Sequence, residues 1–176
     1  IAGNNGADRI DRLNFLTGIS TGGSYPVAPG GAIRAIALSA SAVYVAYNTV
    51  GGDKISKFAL ASGTKDMVYA GGGNAAISGT VGLLSVVTGD AVLAAYDAAG
   101  TPSIARLKAD GTLDDPGYGT NGILTPVAMA SITAFRTVRV GSKAYTLVAD
   151  SGSRMCVSYS PVDGSLSGFD VLYAAD

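Results

Sequence analysis

A repeat of about fifty residues is the feature that most restricts what this 176-residue chain can fold into. Three similar segments read SAVYVAYN, DAVLAAYD and SKAYTLVAD, at residues 41–48, 90–97 and 142–150. The second begins 49 residues after the first, and the third begins 52 residues after the second. A fixed period of this length is the signature of a protein built from repeated supersecondary units.

A shorter motif accompanies these segments in the same order. It consists of an apolar, a small or polar, a basic and an apolar residue, at 10–13, 55–58 and 104–107, with a degenerate copy at 156–159. A glycine follows each copy four or five residues beyond its last apolar position, at Gly18, Gly63, Gly111 and Gly164. The degenerate copy has Cys156 where the others have isoleucine, which predicts a small core residue rather than a reactive thiol.

The long segments have the pattern of strands that are covered on both sides. With a period of two, Val43 and Val45 share one face while Tyr44 and Ala46 share the other, and both faces are apolar. Such a strand lies between two packed sheets. Glycine-rich turns separate the runs at the short spacing that is typical of an all-β fold.

Each repeat has room for four short strands, which is the size of one blade of a β-propeller. In the second full repeat we expect strands at 82–88, 91–97, 102–109 and about 121–128. The chain then forms one repeat domain, residues 1–176, of four-stranded antiparallel blades: a partial blade at 1–30 and full blades at 31–79, 80–129 and 130–176. The partial blade is expected to hold two strands, at 8–16 and about 24–28.

One segment resembles a known repeat. Residues 108–125, KADGTLDDPGYGTNGILT, have an aspartate-glycine-small-leucine-aspartate run, then an aromatic residue with glycine, then a glycine before a strand. This order is similar to the delta-60 type of bacterial repeat, although 115–117 carry one extra residue against the pattern. The resemblance implies a propeller-like blade in a bacterial protein that is secreted or displayed on the cell surface, and it implies no catalytic residues.

About three and a half blades do not close a ring, and an open ring leaves unpaired apolar strand edges. We therefore expect another protein chain, or a second copy, to complete the propeller. A proteolytic fragment that stays docked to its other half would serve equally well. The alternative is an irregular closure in which the first strands have degenerated.

Charge and composition exclude several classes of function. The net charge of −1 argues against binding to nucleic acid, which normally needs a basic patch. The most apolar stretch, 32–47, contains Arg34 and is too short for a membrane span of about 20 residues. With no histidine and one cysteine, the chain lacks the commonest general base, so we predict no catalytic residue and no cofactor.

Few residues remain as candidates for a site. Asp110, Asp114 and Asp115 form a carboxylate cluster that could hold calcium, although a structural turn explains them as well. Asp53 lies in a turn and is a candidate for a ligand-binding rim, or for a carboxylate that accepts backbone hydrogen bonds. Tyr118, and likewise Tyr25, lies in a glycine-rich connection and is a candidate for an exposed aromatic face that binds sugar.

These observations favour a non-catalytic scaffold or interaction module in an extracellular or surface assembly. Two alternatives remain open at this stage. One is a carbohydrate-binding propeller that uses the tyrosines. The other is part of a propeller enzyme whose active site lies mainly on blades that this chain lacks.

Overall fold

The computed structural model describes residues 2–4, 9–14, 16–17, 19–26, 31–126, 129–141, 143–150, 152 and 155–168. These residues form four antiparallel sheets, which we label A to D in chain order. The prediction of an all-β fold with antiparallel sheets is confirmed. No helix in the described part of the chain is long and apolar enough to cross a membrane.

The four sheets follow one another along the chain. Sheet A consists of β1 (Ala2–Asn4), β2 (Arg9–Leu13) and β3 (Ser20–Pro26). Sheet B consists of β4 (Ile33–Leu38), β5 (Ala42–Thr49), β6 (Gly52–Ala59) and β7 (Ala75–Ile77). Sheet C consists of β8 (Thr80–Val86), β9 (Val92–Ala98), β10 (Thr101–Leu107) and β11 (Ile123–Leu124). Sheet D consists of β12 (Ala134–Val140), β13 (Lys143–Asp150), β14 (Met155–Tyr159) and β15 (Leu166–Gly168).

The expected strands match the observed ones within two residues in most places. Sheet C follows the prediction for the second full repeat, except that its last strand is only two residues long. Residues 127–128, at the end of that prediction, lie outside the described residues. The expectation of two strands before residue 30 is wrong, because β1 pairs with β2 and gives sheet A a third strand. The run AGN has no alternation of apolar and polar residues, so its sequence alone does not predict a strand. Its pairing with β2 makes it one.

The strand register aligns the repeats residue by residue. Ala46 pairs with Ile55 in sheet B, and Ala95 pairs with Ile104 in sheet C. The same position in sheet D is taken by the pair Ala149 and Cys156. Cys156 therefore occupies the place of the repeated isoleucine, as the motif predicts.

Three hydrophobic cores fill the spaces between successive sheets. The core between A and B contains Ile10, Tyr25, Val43, Val45, Tyr47 and Phe58. The core between B and C contains Tyr44, Ala46, Ile55, Tyr69, Val92, Ala94, Tyr96 and Leu107, among others. The core between C and D contains Leu93, Ala95, Ile104, Tyr118, Val148, Val157 and Tyr159, among others.

Alternate residues of one strand therefore belong to different cores. In β5, Val43 and Val45 pack toward sheet A, whereas Tyr44 and Ala46 pack toward sheet C. The prediction of a strand covered on both faces is confirmed. Each fully buried large side chain contributes about 1.5–3 kcal/mol, so these cores are the main favourable term in the fold.

Candidate functional site

The two tyrosines that were candidates for sugar binding are core residues. Tyr25 and Tyr118 are both 0% exposed, so the expectation that they present their rings to solvent is wrong. The ring of Tyr25 meets Phe58 edge-on, with 6.1 Å between centroids. The physical reason is that each ring fills the space between its own sheet and the next one, where an apolar body gains more from burial than from exposure.

A repeated contact between a tyrosine and a glycine joins successive sheets. Tyr69 of sheet B lies against Gly111 of sheet C, where an added Cβ would be 2.8 Å from Cε2 of the ring. Tyr118 of sheet C lies against Gly164 of sheet D, where an added Cβ would be 3.3 Å from Cε2. Both glycines have positive φ, +85° and +74°, so two separate requirements select glycine there.

A backbone hydrogen bond reinforces each of these contacts. The N–H of Ala70, which follows Tyr69, donates to the carbonyl of Asp110 at 2.6 Å. The N–H of Gly119, which follows Tyr118, donates to the carbonyl of Asp163 at 3.0 Å. Each contact therefore has two parts. The tyrosine ring packs against the glycine, and the N–H of the residue after the tyrosine donates to the carbonyl of the residue before the glycine.

The first interface uses a different hydrogen bond. Pro26 follows Tyr25 and has no N–H to donate. Instead, the hydroxyl of Tyr25 donates to the carbonyl of Leu60 at 2.8 Å. The sequence does carry a signal for the repeated tyrosine contact, because Tyr69 and Tyr118 follow the motif glycines Gly63 and Gly111 by six and seven residues. The corresponding glycine before Tyr25, Gly18, lies outside the described residues.

The carboxylates proposed for calcium do not form a ligand set. Asp110 accepts hydrogen bonds from the backbone N–H of Thr112 at 2.9 Å and from its hydroxyl at 2.7 Å, and these bonds lower the pKa of Asp110. Asp114 pairs with Arg106, and Asp115 is exposed. Among the described ranges, no three His, Cys, Asp or Glu residues are grouped so that they could hold a metal ion. The turn interpretation is the one that the hydrogen bonds support.

Sheet D repeats the same turn. Asp163 accepts hydrogen bonds from the backbone N–H of Ser165 at 3.0 Å and from its hydroxyl at 2.8 Å. A hydrogen bond from the Ser160 side chain, together with those from Ser165, lowers the pKa of Asp163 to about 2. Asp110 and Asp163 thus stabilise the turns against which Tyr69 and Tyr118 pack.

Asp53 is a buried structural carboxylate. It is 2% exposed, which contradicts its placement on a ligand-binding rim. Its Oδ2 accepts the backbone N–H of Val81 at 2.7 Å, and its Oδ1 accepts from the amide of Asn48 at 3.1 Å. Nε of Arg34 lies 3.8 Å from Oδ2. Since Val81 belongs to β8, this carboxylate ties sheet B to the first strand of sheet C.

A cluster of polar side chains lies beside β6. The hydroxyls of Tyr47 and Ser56 and the ammonium of Lys65 all donate to Oδ1 of Asn74, each at 2.7 Å. A serine near a lysine can act in nucleophilic catalysis. Here Ser56 is 0% exposed and its hydroxyl donates to Asn74 rather than to Lys65, so the cluster satisfies buried polar groups.

An open cleft of about 570 Å³ lies between sheets C and D. Valines line it together with two arginines, and Arg106 is already paired with Asp114. The lining residues include Val86, Val87, Arg106, Val138 and Arg139.

The interface between sheets B and C has a larger side chain at one repeated position. There the hydroxyl of Tyr44 donates to the carbonyl of Asp90 at 3.0 Å. In the next repeat the position of Tyr44 is taken by Leu93, which has no ring.

In the part of the chain that the structure describes, no sheet packs on the outer surfaces of the first and last sheets. On sheet A, Leu13 is 37% exposed, whereas Phe58 and Leu107 at the same position are 0% and 1% exposed. On sheet D, Leu147 is 36% exposed, whereas Tyr44 and Leu93 at the same position are both 0% exposed. We call the surface around Leu13 the A face, and the surface formed by Leu147, Ala149 and Cys156 the D face.

No family model matches the chain, and no curated protein matches its sequence. The fold is similar to that of a protein of unknown function from Bacteroides caccae, with a TM-score of 0.51 and 10% identity over 97% of this chain and 71% of that one. It is also similar to the computationally designed Ika4 protein, with a TM-score of 0.50 and 14% identity over 81% of this chain and 74% of that one. At these identities the likeness extends to the fold alone.

Proposed function

We propose that this chain is a non-catalytic, β-propeller-like interaction module in a bacterial secreted or surface assembly. Another polypeptide, or a second copy of the chain, covers its open faces. The delta-60-type pattern at 108–125 and the uniform way in which each sheet packs on the next support this proposal.

One observation carries the proposal more than any other. Leu13 and Leu147 are more than one-third exposed at positions where the equivalent side chains inside the stack are buried. Proteins seldom leave such apolar sheet faces open to water, and those that do so use them for contact.

The carbohydrate-binding alternative loses the residues on which it depended. It relied on exposed rings of Tyr25 and Tyr118, which are buried. The enzyme alternative places its active site mainly on blades that this chain lacks, so it does not depend on the residues described here.

The test is the composition of the native particle, isolated from the organism that makes the chain and weighed by native mass spectrometry. A particle with at least one further polypeptide or copy supports the proposal. A Leu147→Asp substitution should release that partner, whereas Val50→Asp, at a fully exposed hairpin tip, should not. A stable particle of one chain would overturn the proposal.

A further inference from the structure

We infer that the D face of one copy binds the A face of a second copy, head to tail, by the same kind of contact that joins successive sheets within the chain. This inference rests on the proposed function and names the partner. It extends an interface that already occurs three times in the molecule, between A and B, B and C, and C and D.

The D face corresponds to the surface that a sheet inside the stack presents to the following sheet. In sheet C this surface is formed by Leu93, Ala95 and Ile104, which pack toward the following sheet and are at most 2% exposed. In sheet D the equivalent residues are Leu147, Ala149 and Cys156 by strand register. Leu147 is 36% exposed, and the other two are half-buried. The D face thus carries similar apolar side chains, and among the described residues no sheet packs on it.

The A face corresponds to the surface that a sheet inside the stack presents to the preceding sheet. In sheet C this surface includes Leu107, which packs against the preceding sheet. Leu13 holds this position in sheet A and is 37% exposed. The adjoining turn is closed by a hydrogen bond from the N–H of Asn14 to the carbonyl of Ile19 at 2.9 Å. The equivalent hydrogen bond closes the corresponding turns of sheets B, C and D. In the turn of sheet A, Leu16 and Ile19 are 89% and 68% exposed, so they add apolar surface to the A face.

Each copy offers one A face and one D face, so the contact is heterologous. Such contacts form a closed ring when the rotation between copies closes and a filament when it does not. Both outcomes bury Leu13 and Leu147 of every internal copy.

The test uses the purified 176-residue chain and its variants, whose mass in solution is measured by analytical ultracentrifugation. The wild-type chain is expected to self-associate. Leu13→Asp and Leu147→Asp should each raise the dissociation constant at least about tenfold, because each places an unpaired carboxylate in an apolar contact. Val50→Asp is the matched control, since Val50 is fully exposed on the β5–β6 hairpin and should leave association unchanged.

Mixing the two impaired variants distinguishes head-to-tail binding from other arrangements. Leu13→Asp leaves the D face intact, and Leu147→Asp leaves the A face intact, so the mixture contains one complete junction per pair and should associate again. A symmetric contact between like faces would be weakened by only one of the variants and would show no recovery. Circular dichroism of each variant establishes that it is folded.

A wild-type chain that stays monomeric overturns this inference, and so does association that neither substitution weakens. If the native particle then contains a different polypeptide on these faces, the proposed function stands while this inference fails. If the native particle is a single chain, both fail.

Discussion

The ring of Tyr69 lies against Gly111 of the following sheet, so closely that an added Cβ would be 2.8 Å from Cε2. The adjacent backbone hydrogen bond, from the N–H of Ala70 to the carbonyl of Asp110, holds the two segments of the chain together at the same point. A side chain on Gly111 would have to displace both the ring and the backbone.

Gly111→Ala is therefore expected to destabilise the fold more than its positive φ alone would require. Gly100 is the matched control, because it has a φ of +87° against +85° for Gly111 but no heavy atom within 4 Å of an added Cβ. We expect Gly100→Ala to cost about 1 kcal/mol from backbone strain. Gly111→Ala should cost about 2 kcal/mol more, from overpacking against Tyr69. Urea denaturation measures both, and equal losses would contradict the tight contact.

The two buried tyrosines that were predicted to bind ligand should respond differently to loss of the hydroxyl. The hydroxyl of Tyr25 donates to the carbonyl of Leu60, so Tyr25→Phe should cost about 1 kcal/mol of unfolding free energy. The hydroxyl of Tyr118 is buried and has no hydrogen-bond partner among the residues that the structure describes. Tyr118→Phe should therefore be neutral or slightly stabilising. A comparable loss in both variants would show that the Tyr118 hydroxyl has a partner.

Removal of the Asp53 carboxylate should weaken the link between sheets B and C. Asp53→Ala leaves the buried N–H of Val81 without its acceptor, which should cost about 2–3 kcal/mol. Asp97→Ala is the control, because Asp97 also accepts a backbone N–H, from Gly100, but at an exposed turn. Its cost should be about 0.5 kcal/mol. Thermal or urea unfolding of the two variants checks the difference.

Alkaline pH should destabilise the fold through three buried phenols. Burial raises the pKa of Tyr44, Tyr69 and Tyr118 above the ordinary value of 10.0. Because the folded-state pKa lies above the unfolded value, stability is fully present below about pH 10 and falls as pH rises further. Unfolding free energies measured from neutral to alkaline pH check the sign. Removal of one phenol by Tyr118→Phe should make that fall shallower, and an unchanged slope would contradict the assignment.

The repeat made much of the fold predictable. A period of two with both faces apolar placed Val43 and Tyr44 on opposite surfaces, and they do belong to different cores. The motif alignment likewise assigned Cys156 to an isoleucine position, which the pairing with Ala149 confirms.

The candidate site was less predictable because it depends on the direction in which side chains point. Glycine-rich context suggested exposure for Tyr25 and Tyr118, but Tyr25 lies in β3 and Tyr118 in a loop, and both rings point inward, where the next sheet supplies apolar contacts. Asp53 was open to two interpretations, since the partner that settles its role, Val81, is 28 residues away. Long-range contacts of this kind leave no local pattern.

Pro26 has a consequence for the order in which the molecule comes apart. The junction between sheets A and B has a proline where the later junctions have a backbone donor after the tyrosine. Within the described ranges, sheet A is also the one with three strands rather than four. Amide protons of β2 should therefore exchange with solvent sooner than those of β9, and sheet A should detach first as a cooperative unit while sheets B to D remain assembled.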